Sequence, residues 1–361
     1  GAERMMLTLA GGLDPARYQS TILYLFGENH HHGRTPDGVR VVAAGDPDTP
    51  PGAYSTFFRA GLRHARDADI VIGGQEGLPY AIALLAARAR RKPGVAWVHT
   101  NWDERFVSPG ASRVTRVACS AARYLHAIVA CSRVRVIHNG LDIDAIRARA
   151  AAEAPEDVRP LLASPCVVSV GRLSREKDFP TLVRAHRAAL DLGVPHRLLI
   201  VGDGDQRPAI EAAVREAGVE GTVTLAGWRD NPFPIVARSS CYAMSSIFEG
   251  FPLSPIEALI LGTPVVATDC VAGPSEILDA GRYGRLAPPR DPRALGEAIA
   301  ATLRDPDTPA SRAQRRARGE EFGLPRFLHA WDELLTSLRR AGFRAEAEAL
   351  ALEALQPWKA I

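Results

Sequence analysis

The sequence predicts an α/β protein of two units, each built on a mostly parallel sheet. Short runs rich in apolar and β-branched residues alternate with stretches of helical period along the chain. The runs are apolar on both faces, as strands are when helices cover both sides of a sheet. The chain of 361 residues is too long for one compact core and long enough for two.

In the first half, strand-like runs fall at residues 21–26, 39–43, 69–72, 95–99, 127–131 and 134–137. In the second they fall at 166–170, 197–201, 222–225, 241–244 and 264–268. Helix-period segments at 54–66, 76–91, 179–192 and 207–217 separate them. Residues 148–165 are rich in Ala, Glu and Pro and lack a strand pattern, which puts the break between units near residue 160. The expected organisation is a Rossmann-like unit over 1–160, a second over 161–322 and terminal helices over 323–361. Two such doubly wound sheets facing each other make the cleft between them the default site.

Two places read as incomplete. Gly1-Ala2-Glu3-Arg4 looks like the start of a helix with no strand before it. The runs 127–131 and 134–137 nearly abut, whereas parallel strands need a crossover of about a dozen residues, so either they form one bent strand or a helix between them is missing. The tail at 344–355 has the pattern of an amphipathic helix.

Composition excludes several classes. A net charge of +3 with no Arg–aromatic stripe argues against nucleic acid as a partner. No run of 18 apolar residues suggests a membrane span, and no signal peptide is evident, so the cytoplasm is the expected compartment. The five cysteines are scattered without a CxxC pair, as buried free thiols are. His30, His31 and His32 read as a solvated loop, and no metal site is expected.

The densest signal is Ser245-Ser246-Ile247-Phe248-Glu249-Gly250-Phe251-Pro252-Leu253-Ser254-Pro255-Ile256-Glu257. It follows a strand and leads into a helix that Gly262 ends. Ser254 suits the N-cap and Pro255 the first helical position, so Glu257 falls in the first turn. Free N–H groups and the dipole there favour a phosphate. Glu249 and Glu257, with seven residues between them, are carboxylates able to accept from a vicinal diol. Competing readings stand beside these: Glu257 closing a capping box on Ser254, and Glu249 as a solvated loop acid.

A second signal is Gly171-Arg172-Leu173-Ser174-Arg175-Glu176-Lys177 after the run 166–170. Arginine forks across phosphate oxygens and lysine acts as a point charge, so Arg172 and Lys177 suit a diphosphate. Lysine occurs here only at Lys92, Lys177 and Lys359, which singles out Lys177 from an ordinary charged loop. Val201-Gly202-Asp203-Gly204-Asp205 marks a tight turn or a close approach of backbone, without a dinucleotide fingerprint. Asp142-Ile143-Asp144 reads as structural. His99 ends the run 95–99, where a doubly wound sheet exposes its site; a hydrogen-bonded structural histidine is the rival reading.

Taken together these residues resemble retaining glycosyltransferase family 4 and its E-x7-E motif, Glu249 through Glu257. The similarity continues through Asn231-Pro232-Phe233, the segment Gly262 to Asp269, Gly273-Pro274-Ser275-Glu276-Ile277-Leu278 and Tyr283-Gly284. Gly171-Arg172-Leu173 with Lys177, Val201-Gly202-Asp203-Gly204 and Val136-Ile137-His138-Asn139-Gly140 look like further family landmarks. It spans nearly the whole chain to about Leu335 and is weakest over 28–50.

The resemblance implies a GT-B fold and retaining transfer from a nucleotide-sugar donor, with UDP favoured. The acceptor would be a glycan, a lipid-linked sugar or a small molecule. Arg172 and Lys177 would grip the diphosphate and Glu257 the ribose. Glu249, with the backbone of Gly250, Phe251 and Leu253, would meet the donor sugar and phosphate, and His99 would reach the sugar from across the cleft. The helix around Trp331 would cross back to the first unit. Residues 1–4 look like the end of a glycine-rich loop whose strand is absent, and the family's helix between Cys131 and Arg133 is missing. No cofactor is implied.

Rival readings are a GT-B-like epimerase, a phosphorylase and an inactive nucleotide-sugar-binding subunit. Arg88, Arg90, Arg91 and Lys92 at a helix end leave a peripheral membrane contact open, against simple compensation of the helix dipole.

Overall fold

The computed structural model describes residues 2–24, 35–45, 54–74, 78–98, 133–341 and 349–352. The chain divides into two compact units. Unit 1 is Gly1–Gly140 with Leu324–Leu355, and unit 2 is Leu141–Gly323 with Gln356–Ile361. The division falls at Gly140–Leu141, ahead of the break expected near residue 160. The helix Ile143–Ala150 packs on the unit 2 helices Phe233–Arg238 and Leu253–Leu261. Asp142 caps a helix that belongs to unit 2, accepting from the Ala145 N–H at 2.9 Å. The Asp142-Ile143-Asp144 triplet thus has the structural role expected of it.

Unit 1 opens with α1 (Ala2–Gly12), as the first residues predict. Strands β1 (Thr21–Tyr24) and β2 (Arg40–Ala43) pair in parallel. Then come α2 (Tyr54–Asp67), β3 (Val71–Gly73), α3 (Leu78–Ala89), β4 (Gly94–Val98) and β5 (Arg133–Val136). The run 127–131 lies outside the described residues, as do His30, His31 and His32.

Unit 2 follows with α4 (Ile143–Ala150), β6 (Cys166–Val170), α5 (Phe179–Asp191), β7 (Arg197–Val201), α6 (Arg207–Ala217), β8 (Val223–Gly227) and α7 (Phe233–Arg238). It continues with β9 (Cys241–Met244), α8 (Leu253–Leu261), β10 (Val265–Thr268), α9 (Pro274–Ile277), β11 (Arg285–Ala287), α10 (Pro292–Arg304) and α11 (Pro309–Glu320). Its six strands are all parallel, in the order β11-β10-β9-β6-β7-β8. β9 and β10 are buried at every position, β6 and β7 at all but one, so the apolar runs are central strands covered on both faces.

From β6 the chain steps outward to β7 and β8, then returns to place β9 on the other side of β6. The strand order therefore reverses between β6 and β9. In such sheets the crevice at their carboxyl ends is where ligands bind.

Cys166, Cys241 and Cys270 are buried free thiols. Burial pushes their pKa values to about 11, 12 and 12. A buried polar chain closes the opposite end of the sheet. His196 Nδ1 lies 2.8 Å from Val194 O, a partner that can only accept. That makes His196 Nε2 an acceptor for His186 Nδ1–H at 2.9 Å, and His186 Nε2 an acceptor for the Thr222 hydroxyl at 2.8 Å. Both rings are neutral in this arrangement.

The chain returns to unit 1 through α12 (Leu324–Ala341) and β12 (Ala349–Leu352). The two passages between units are adjacent: Leu141 bridges to Gly323, and its N–H reaches Phe322 O at 2.9 Å. α12 inserts Trp331, fully buried, against Trp97 with ring centroids 4.7 Å apart. The same helix is held at its middle by Asp332, which accepts from Tyr18 at 2.8 Å and pairs with Arg17 at 2.6 Å. β12 corrects the helix expected over 344–355. Ala349-Leu350-Ala351-Leu352 alternates with period two as well as it fits a helix, and β4 and β5 both ladder to it.

Candidate functional site

The loops that follow β6 and β9 meet where the strand order reverses. After β6, Gly171 turns the chain, and a single 3-10 turn, Arg175–Lys177, ends at Asp178 in the left-handed region (φ 44°). After β9, Ser245 Oγ donates to Lys177 O at 2.8 Å, and Ile247 N–H donates to Glu176 O at 2.9 Å. The two loops are thus fastened to each other through backbone before any charge is considered.

On that frame Lys177 Nζ lies 2.5 Å from Glu249 Oε1, with 22% and 11% of the two side chains exposed. Ser246 Oγ donates to the same carboxylate oxygen at 2.6 Å. Ser246 is itself held, its carbonyl accepting from Thr268 Oγ1 at 2.5 Å. Glu249 is therefore a fixed acceptor between a cation and a hydroxyl, not a solvated loop acid. Arg172 differs: its side chain is 72% exposed and pairs with Glu176 at 3.0 Å. Burial opposes ionisation of Glu176, but hydrogen bonds from Ser174, its own N–H and Arg172 outweigh it and hold the carboxyl below its usual value. An exposed guanidinium on a short tether can swing to an incoming anion at little cost, because exposed pairs of this kind are weak.

The glycines of Val201-Gly202-Asp203-Gly204 have a definite neighbour. A Cβ on Gly202 (φ 146°) would stand 1.8 Å from Gly171 O, and one on Gly204 (φ 158°) 2.4 Å from Leu173 O. The turn after β7 packs beneath the loop that carries Arg172. Leu173 N–H donates to Asp203 O at 2.9 Å and Gln206 N–H to Leu173 O at 2.9 Å.

The start of α8 corrects the sequence reading. The helix begins at Leu253 behind Pro252, which as N-cap residue has no side-chain hydrogen bond to give. Ser254 is its second residue, not its N-cap, and its hydroxyl accepts from Tyr242 on β9 at 2.7 Å. The buried phenol outcompetes the local cap because a phenolic O–H with no partner inside the sheet is costly. Glu257 consequently sits in the second turn, not the first, and is 9% exposed. Gly262 ends α8 in the left-handed region (φ 83°), as expected. Gly250 and Phe251 are buried, with the Phe251 ring against Phe322 at 5.7 Å. His99 lies outside the described residues.

One aromatic escaped the sequence reading. Trp228 follows β8 directly and is 68% exposed, at the carboxyl edge of the sheet two strands from β6. An apolar ring set immediately after a strand end was the available signal. Among the described residues no group of three or more His, Cys, Asp or Glu could hold a metal, and no helix is long and apolar enough to cross a membrane.

Comparison with known families covers both units. The family described as Glycosyltransferase Family 4 matches residues 1–145, and Glycosyl transferases group 1 matches residues 164–305. The chain belongs to glycosyltransferase family 4. An uncharacterized glycosyltransferase of Methanocaldococcus jannaschii is 24% identical over 234 residues, 56% of this chain and 58% of its own length. The Campylobacter jejuni N-acetylgalactosamine-N,N'-diacetylbacillosaminyl-diphospho-undecaprenol 4-alpha-N-acetylgalactosaminyltransferase is 29% identical over 48% of this chain and 45% of its own. The Streptomyces kanamyceticus 2-deoxystreptamine glucosyltransferase is 30% identical over 61% and 59%. The chain thus spans about half the length of these curated relatives. Among solved structures, Anabaena HepE with UDP and glucose superposes with a TM-score of 0.72 at 21% identity, covering 93% of this chain and 96% of that one. Sucrose-phosphate synthase of Thermosynechococcus elongatus gives 0.75 at 20%, covering 95% and 94%. The family 4 chain has the GT-B fold of these structures.

Proposed function

We propose that the protein is a retaining glycosyltransferase that takes a sugar from a nucleoside diphosphate, with UDP-sugars the first donors to try. The observation that carries this is the Lys177–Glu249 pair set at the strand-order reversal, on the loop that leads into α8. A cation, an exposed arginine and helical N–H groups converge where a diphosphate would develop charge as the sugar–phosphate bond breaks. Solved relatives bound to UDP or UDP-glucose support the choice of donor.

In this reading Lys177 and Arg172 receive the diphosphate, joined by the backbone of Gly250, Phe251 and Leu253. Glu249 orients Lys177 and meets the donor sugar, and Glu257 accepts from the ribose hydroxyls. His99 contacts the sugar as an orienting group. Positive charge develops at the anomeric carbon while the departing phosphate helps take the acceptor's proton, so no side chain acts as a glycosidase-type nucleophile. The nucleotide sugar is a substrate, and the transfer calls for no resident cofactor. Trp228 offers a face to the nucleobase, two strands further along the same sheet edge.

The acceptor class is a glycan, a lipid-linked sugar or a small molecule; relatives named for each kind exist. A lipid-linked acceptor fits a peripheral contact through Arg88, Arg90, Arg91 and Lys92 at the end of α3, tested by sedimentation with anionic vesicles.

Calorimetric titration of UDP, GDP, ADP and TDP into the protein and into Glu257→Ala tests the donor site. One nucleotide should bind tightly and weaken about tenfold or more, roughly 1.4 kcal/mol, in the variant. No binding by folded protein would bring forward an inactive subunit with another ligand. Donor interconversion without acceptor would point to an epimerase.

A further inference from the structure

Glu249 carries both of its donors on one oxygen. Lys177 Nζ lies 2.5 Å from Oε1, and Ser246 Oγ donates to the same atom at 2.6 Å. The other oxygen, Oε2, has no hydrogen-bond partner among the described residues and stays open to solvent. Neighbouring hydroxyls are committed elsewhere: Ser245 Oγ donates to Lys177 O at 2.8 Å, and Tyr242 donates to Ser254 Oγ at 2.7 Å. One carboxylate oxygen is thus filled and the other is left as an acceptor.

Lys177 alone does not produce this asymmetry. An ammonium on a flexible four-carbon stem is a point charge that follows either oxygen. The last torsion of a glutamate is broad and roughly two-fold, so its own rotamers do not fix the carboxylate plane either. Ser246 differs because its backbone is fastened on every side. The Ser245 hydroxyl before it and the Ile247 N–H after it donate to the Lys177 and Glu176 carbonyls, and its own carbonyl accepts from Thr268 Oγ1 at 2.5 Å. Ser246 is fully buried. Its hydroxyl therefore reaches Glu249 from a fixed point, and from one direction.

We propose that Ser246 is a positioning residue of the donor site, an inference that rests on the donor-site reading above: its hydroxyl sets the plane of the Glu249 carboxylate so that Oε2 is presented to a hydroxyl of the donor sugar. Ser246 touches no ligand itself. In that reading the diphosphate is held by Lys177, Arg172 and the backbone of Gly250, Phe251 and Leu253. The effect of Ser246 accordingly falls on the sugar and leaves the nucleotide alone.

Ser246→Ala deletes the hydroxyl with the least change of shape. Calorimetry compares UDP with UDP-glucose and UDP-N-acetylglucosamine, and GDP with GDP-mannose, and follows the ratio of dissociation constants for the best-binding pair. In Ser246→Ala this ratio should move about tenfold against the nucleotide sugar, the effect of one hydrogen bond to a charged group. Affinity for the nucleotide alone should stay within about twofold of wild type. Glu249→Ala should move the ratio at least as far, and adding Ser246→Ala to it should change the ratio by less than about twofold, because the serine acts through the carboxylate. A serine that merely braces the loop would lower nucleotide and nucleotide-sugar affinity together. An unmoved ratio in Ser246→Ala, an equal loss for the nucleotide alone, or a further shift in the Glu249→Ala background each overturns the proposal while leaving the donor site standing. Wild-type protein that binds none of these nucleotides overturns both.

Discussion

Unit 2 should loosen in mild acid, through a histidine pair far from the sheet edge that binds ligand. His186 on α5 is fully buried and His196, just ahead of β7, is 5% exposed. Burial first, and the neighbouring His196 second, lower the His186 pKa from 6.5 to about 3; burial lowers that of His196 as well. The hydrogen-bond chain explains why a proton is unwelcome. His186 Nε2 already accepts from Thr222, and Val219 O, which the Thr222 hydroxyl also approaches at 3.1 Å, is served by the N–H groups of Thr222 and Val223. A proton on either ring forces this chain to reverse. The unfolded chain takes up protons first, near 6.5, so stability is full above that pH and falls as the pH drops toward 3. At pH 5 the His186 term alone amounts to about 2 kcal/mol relative to pH 7.5. Urea titrations read by hydrogen exchange in the β7 and β8 peptides isolate unit 2, with the double variant His186→Leu, His196→Leu as reference. Wild type should lose about 2 kcal/mol more than the reference between those pH values. Equal pH slopes in the two proteins would refute the reasoning.

Lys177→Met should weaken nucleoside diphosphate binding by tenfold or more, roughly 1.4 kcal/mol, in a calorimetric titration; wild-type affinity would remove Lys177 from the site. Trp228→Ala should cost about 1 kcal/mol or more of nucleotide affinity if the ring stacks on the base, and an unaltered dissociation constant would free Trp228 of that role. Gly202→Ala should destabilise unit 2 by about 3 kcal/mol or more, since its Cβ would fall 1.8 Å from Gly171 O; an unshifted urea midpoint would mean the loop can move aside. Thiol labelling mapped by mass spectrometry should find Cys166, Cys241 and Cys270 nearly inert until denaturant is added, because burial holds them protonated.

Unit 2 was legible where local rules and tertiary packing agree. Residues 166–170, 197–201 and 241–244 are mostly apolar runs that end at Gly171, Gly202 and Ser245, and they form β6, β7 and β9 at those bounds. The meeting of Lys177 and Glu249 follows from strand order, which no window of sequence contains. Ser254 shows the opposite case. Ser-Pro-Ile-Glu is a sound capping pattern, and it lost to a tyrosine twelve positions upstream, brought near only by the sheet. The tail failed for another reason. Alternating Ala and Leu satisfy two periods at once, and the choice fell to the neighbours β4 and β5. The unit boundary moved because α4, the helix that Asp142 caps, packs on α7 and α8 of unit 2, a contact that composition does not contain.

Unit 1 is interrupted in sequence by the segment Leu141–Gly323 of unit 2, and this orders events on the ribosome. The hydrophobic seat beside Trp97 is filled by Trp331 and Phe327 from α12. Between the emergence of Trp97 and that of Trp331 lie 234 residues of synthesis (331 minus 97), or roughly 10–50 s at about 5–20 residues per second. For that interval the first unit must wait with an aromatic socket open while the second, continuous from Leu141 to Gly323, can finish folding. Synthesis in vitro arrested just before Leu324 should therefore yield chains with a protease-resistant second unit and a first unit that chaperones still hold.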